Sequence, residues 1–217
     1  MKQGSGPSYF NLIQVCVVVK NGAQQLMAID CHGPGNPTFR MIEVESWMAR
    51  KSSCKSMNER NKWKTELRDP DVRVRAAAAE NLCLAGAGSV DAAVELVMAC
   101  GDHESVSQWA VAALEELGTP RLDSLDSLEN LVKGTNPLVA YWAATLLGRL
   151  GPEASNSQEV LAEVLSSSEE ISVRERAAWA LGKIGATSAN AQSALEQAAS
   201  VGDQRLARLA QNALLAK

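Results

Sequence analysis

Two histidines occur in the 217-residue chain, and each stands beside a side chain that could share chemistry with it. Cys31-His32 sets a nucleophile type next to a base type, the couple that generates a reactive thiolate. Adjacent side chains of an extended segment point to opposite faces, however, and no third group that would orient the base is identifiable. His103-Glu104 joins two metal-ligand types, but one such pair offers too few donors to hold metal ions. His103 reads instead as a turn residue capping a helix. The cysteines Cys16, Cys31, Cys54, Cys83 and Cys100 are odd in number and scattered, with no Cys-x-x-Cys pair, which argues against a disulfide framework or a zinc site. A reducing cytoplasm is the expected location. The expectation is therefore a chain with no catalytic residue, no cofactor and no metal.

The remaining chemistry is that of recognition. Tyr141 and Trp179 are aromatic anchors of the type enriched in binding hot spots. Asp126, Glu129, Glu159 and Glu163, with Asp91, Glu95 and Glu196, form a second candidate set, a negative ridge suited to a basic partner. Net charge is −4 and divides unevenly. Residues 1–66 carry nine Lys/Arg against five Asp/Glu, and residues 67–217 carry twelve against twenty. The acidic part should repel nucleic acid. The apolar run Val15 to Val19, like every other run of apolar residues in the chain, is far short of the ~20 residues of a membrane span, so no membrane partner is expected. Lys2 is the only early positive charge, and no small-x-small cleavage site of a signal peptide follows the run.

What positions these residues is a period of about 33. Val74, Val106, Val139, Val173 and Leu206 recur at spacings of 32, 33, 34 and 33. Four residues after each comes alanine (78, 110, 143, 177, 210), eight after comes leucine (82, 114, 147, 181, 214), and twelve after comes glycine (86, 118, 151, 185). Offsets 0, +4, +7, +8 and +11 share one face at 100° per residue, so each block is an amphipathic helix that the glycine ends. Asp71, Asn136, Glu170 and Asp203, at offset −3, supply start signals. A second apolar-periodic stretch follows each glycine: Val90 to Cys100, Leu122 to Val132, Gln158 to Leu165 and Ala189 to Ala199. One hairpin cannot bury its own apolar face, so the units must stack. The alanines at +4 and +5 let helices approach closely. Gln211, at +5 of the last block, marks a face turned to water. Trp109 and Trp142, at +3, sit where packing between repeats accounts for them, while Tyr141 at +2 and Trp179 at +6 point away from the apolar stripe.

The segments "DPDVRVRAAAAENLCLAG" and "SVRERAAWALGKIG" resemble the HEAT repeat, in the short subtype of the phycobilisome bilin lyases that also occurs in deoxyhypusine hydroxylase. The resemblance covers about residues 67–217 and implies an all-α, right-handed superhelical solenoid of four to five helix hairpins. It also implies that the second helices line a concave face, which places the acidic residues there. The hydroxylase relatives hold a di-iron centre with several His-Glu pairs. This chain repeats the pair nowhere, since the equivalent positions hold Asp71-Val72, Asn136-Pro137, Glu170-Ile171 and Asp203-Gln204. The reading is a non-catalytic scaffold that binds another protein. Lyase-like or hydroxylase-like activity is the alternative that the resemblance alone supplies, and nucleic-acid binding like that of repair glycosylases is disfavoured by charge.

Residues 1–55 lack the repeat and form a separate, weakly structured segment, with 56–217 as the solenoid. Asn21-Gly22 between two apolar runs is a hairpin signal, and a two-residue turn there pairs positions that sum to 43, so that Cys16 faces Met27. Three readings of this segment stay open: an edge that docks on the solenoid or a partner, a segment not stable alone, or a natural start near Met57. Ser56 to Glu59 is a capping box that opens a helix through Leu67, over the first repeat.

Overall fold

Among the described residues, four of the five first helices start from one recurrent device. The computed structural model describes residues 14–20, 23–30, 38–41 and 57–216. Helix α1 spans Met57–Glu66. The first helices of the repeats are α2 (Val72–Ala85), α4 (Glu104–Glu116), α6 (Pro137–Leu150), α8 (Ile171–Ile184) and α10 (Gln204–Leu215). Asp71, His103, Asn136 and Asp203 each cap their helix by accepting a backbone N–H of its first turn. Glu170 holds the same position without a side-chain cap. At the other end Gly86, Gly118, Gly151 and Gly185 all have positive φ, 56° to 85°, which turns the chain out of the helix at a low cost only glycine offers.

The second helices are α3 (Ala93–Ala99), α5 (Leu125–Val132), α7 (Gln158–Ser167) and α9 (Ala189–Ala199). Short 3₁₀ turns at Gly86–Ala92, Leu122–Ser124 and Gly151–Ser157 lead into the first three. Each second helix packs on the first helix of the next repeat, so four hairpins and a closing helix form a solenoid. Trp63 of α1 packs against the core beside Leu67, placing that helix over the first repeat as expected. From Val72 to Ala99 the chain has the length and mean hydropathy of a membrane span, but by length and composition only. That stretch is three elements, turned at Gly86, with Leu82, Leu96 and Val97 buried in the core.

The alanine column is fully buried: Ala78, Ala110, Ala143, Ala177 and Ala210 are each at most 1% exposed. At +5, Ala79, Ala144 and Ala178 are buried while Gln211 is exposed, so the last first helix does present a polar face to water. Contact between consecutive first helices depends on a further pair of columns, +9 on one helix and +7 on the next. A methyl at Gly148 would lie 3.0 Å from Ala180 Cα and 2.4 Å from the Trp179 ring, and a methyl at Gly182 would lie 3.0 Å from Ala213 Cβ. Cys83 and Ala113 occupy the corresponding positions between α2 and α4.

Between α4 and α6 the positions hold Glu115 and Leu146, and here the backbones scarcely meet, whereas the other three consecutive pairs pack closely. Gln108 and Glu115, on the side of α4 that this bulk holds off, are exposed. Arg149 of α6 spans the seam, donating through Nη1 to Leu114 O (2.6 Å) and Gly118 O (3.3 Å) at the end of α4. The first junction is tied differently. Arg75 forks onto Asp102 (2.5 and 2.7 Å) and also donates to Asp69 O (2.8 Å), linking the loops that precede α2 and α4.

The N-terminal unit, 1–53, is separate from the unit 54–217. Strands β1 (Gln14–Lys20) and β2 (Ala23–Asp30) pair antiparallel with Cys16 opposite Met27, the expected register. A third strand, β3 (Thr38–Met41), pairs with β2 and was not foreseen. The expected weak structure of the rest of residues 1–55, the Cys31-His32 pair and Ser56 of the capping box lie outside the described residues.

Gly148→Ala and Gly182→Ala should each destabilise by about 1–3 kcal/mol through overpacking, while Gly202→Ala, with open space around it, should be close to neutral. Denaturant midpoints check this. Asp102→Asn tests the Arg75 fork. Hydrogen bonds from Arg75, first among the causes, hold the Asp102 carboxyl below its usual range. A depressed folded pKa gives stability that is present above the unfolded value and lost as pH falls through the folded one. The variant should therefore be less stable at pH 7 by about 1–3 kcal/mol, with the difference closing as pH drops below about 4.

Candidate functional site

The residues of the two candidate surfaces are placed differently from what the offsets suggest. Tyr141 and Trp179, read as pointing away from the packing, are half-buried and rest against the core. The physical reason is that the flank of a first helix faces the next repeat. Trp179 lies over the bare backbone of Gly148, and Arg176, one turn before it on α8, lies between the two aromatic residues. The Arg176 guanidinium carbon is 4.4 Å from the Tyr141 ring centre and 5.0 Å from that of Trp179, and Nη2 donates to the Tyr141 hydroxyl. Lys183 Nζ stands 5.9 Å from the Trp179 ring on the next turn. Trp142 is buried, meets Tyr141 edge-on at 5.7 Å and carries Arg149 at 5.8 Å. The two aromatic candidates thus join into one cluster through Arg176, a residue the offsets alone did not single out.

The acidic ridge is largely consumed in stitching repeats together. Lys64 and Arg68 reach Glu95 at 3.4 Å, Arg121 reaches Asp91 at 3.5 Å, and buried Ser157 donates to Glu129 at 2.7 Å. Asn190 donates to Glu159 at 2.7 Å, and donors from Asn190 and then Ser188 hold that carboxyl below its usual range. Asp126 and Glu163 stay exposed. Glu159 and Glu163 border an open groove between α7 and α9, whose other exposed polar walls are Ser166, Asn190, Ser193 and Gln197. Behind its upper end Gln158, only 5% exposed, accepts from Thr187 N (2.8 Å) and Ser188 N (2.9 Å) and fixes the loop into α9. Nothing in the periodicity pointed to Gln158, because its partners lie one repeat away.

His103 caps α4 through Nδ1, which accepts the Ser105 N–H at 3.3 Å. Among the described residues, no group of three or more His, Cys, Asp or Glu side chains converges as a metal site would require.

The model for the HEAT repeat family matches residues 125–215. That segment is thus similar in sequence to HEAT repeats. The match begins at α5, just past the α4–α6 seam, and takes in the cluster and the groove. Among solved structures, this chain resembles an engineered protein at 22% identity (TM-score 0.50), over 72% of this chain and 78% of that one. It also resembles a designed armadillo repeat protein in complex with the peptide (KR)4, at 16% identity (TM-score 0.51), over 79% and 91%. The complex of CpcE and CpcF of phycocyanin lyase from Nostoc sp. PCC7120 aligns at 20% identity (TM-score 0.49), over 73% and 65%. No curated protein matches the sequence.

Gln158→Ala should cost about 1–3 kcal/mol by leaving the Thr187 and Ser188 amides without their acceptor, whereas Glu163→Ala should be nearly neutral; thermal melts of the two variants distinguish them.

Proposed function

We propose that the chain is a non-catalytic HEAT-repeat scaffold that holds an extended, basic segment of a protein partner in the groove between α7 and α9. The observation that supports this is the groove itself: an open channel on the second-helix side with Glu159 and Glu163 along one wall and side-chain amides and hydroxyls along the other. Carboxylates attract Lys and Arg, and Ser193, Asn190 and Gln197 offer donors and acceptors to an extended backbone. The designed armadillo protein of similar fold holds the basic peptide (KR)4, which is a precedent for the chemistry. The Cys100 thiol is buried and donates to Leu96 O, and burial pushes its pKa up, so it stays protonated and unreactive. That state is in keeping with a scaffold in a reducing cytoplasm.

A fluorescein-labelled octapeptide of alternating Lys and Arg should bind the full chain, and the double variant Glu159→Lys/Glu163→Lys should weaken it by about tenfold or more at low salt, with the difference shrinking above about 0.15 M salt. Equal affinity of the peptide for both proteins would refute the assignment.

A further inference from the structure

The first-helix side of the third and fourth repeats carries the opposite charge. Arg149, Arg176 and Lys183 follow one another along α6 and α8, each over an aromatic ring. Among the described residues, no carboxylate comes within 4.0 Å of any of them, whereas Lys64, Arg68, Arg75, Arg121 and Arg205 all have such a partner. The acidic groups within electrostatic reach are Glu115, beside Arg149, and Glu175, beside Arg176; Glu175 is engaged by Arg205 at 3.3 Å. Arg149 and Arg176 repel one another across the α6–α8 junction.

Placing like charges within electrostatic reach of one another is unfavourable, and the fold tolerates it by packing the guanidiniums on ring faces and giving Arg149 the carbonyls that end α4. The arrangement leaves the cations oriented but not neutralised. It is also out of keeping with the rest of the repeats, where residues 67–217 carry twelve Lys/Arg against twenty Asp/Glu. An anionic chain meets repulsion over most of such a surface and attraction on this face, which supplies both a place and an orientation.

We infer that this face of α6 and α8 is a docking surface for an acidic protein segment, whose carboxylates pair with Arg176 and Lys183 while its neighbouring side chains lie on the exposed edges of Tyr141 and Trp179. The surface lies on the first-helix side, and its assignment is independent of the groove between the second helices. Arg149 sits deeper, anchored to the end of α4, and sets the local potential rather than reaching out. A basic segment is excluded here by the same charges that favour an acidic one.

The test is fluorescence anisotropy of a fluorescein-labelled octaglutamate peptide with the full chain at low salt. Saturable binding is expected, weakened about tenfold by Arg176→Gln and about fivefold or more by Lys183→Glu. Arg176 also helps hold Trp179, so the exposed Lys183 provides the variant that leaves packing intact, and the melting temperature of each protein is recorded alongside. Three outcomes would overturn the inference: no saturable binding by the wild type, unchanged affinity in the Lys183→Glu variant, or displacement of the peptide by inorganic phosphate at about 1 mM, which would mark a small-anion site instead.

Discussion

The stack depends on how closely one first helix can approach the next. Gly148 against Ala180 and Gly182 against Ala213 let two backbones meet at distances where a single added methyl would collide. Along the stack the alanine column and Leu82, Leu114, Leu147 and Leu181 are sealed from water, while Leu214 in the last helix is half-buried. Where the same contact would involve Glu115 and Leu146, the helices stay apart, Gln108 and Glu115 are left exposed, and Arg149 bridges the gap with hydrogen bonds to carbonyls. One steric variable, side-chain volume at two offsets, thus separates tight junctions from the seam. A local rule of this kind is what a quasi-one-dimensional array permits.

Both candidate surfaces inherit their form from that rule. Trp179 can lie across the α6–α8 junction only because Gly148 has no side chain, and Arg176 is held between the Tyr141 and Trp179 rings. On the other side the second helices lie farther apart, and polar contacts rather than small residues connect them: Ser157 to Glu129, Asn190 to Glu159. The result is an array with a basic, aromatic strip on its first helices and an acidic groove on its second.

Much of the fold was legible because it is written locally and repeated. The −3, 0, +4, +8 and +12 columns each describe one helix with its own cap, core face and stop, so five copies reinforce one pattern. Even the exception, Gln211, was readable as an end. The junctions were not, because Gly148 inside a helix, or Glu115 on its flank, acquires meaning only from a residue about one repeat away. The same distance explains the misreading of Tyr141 and Trp179: offsets measured against a helix's own core treat its flank as solvent, whereas in a stack that flank is interior. The ridge was misjudged likewise, since Glu129 and Glu159 look solvated until Ser157 and Asn190, 28 and 31 residues on, are brought beside them.

Small-on-small contact between first helices sets which repeats act as one unit. Native-state hydrogen exchange of the backbone amides tests it most directly, because it reports the free energy of opening helix by helix. Amides of α6, α8 and α10 should exchange through a common, high-energy opening, with a step to lower protection on crossing the seam into α4 and α2. Uniform protection from α2 to α10, or a step placed at the α6–α8 junction instead, would contradict the claim.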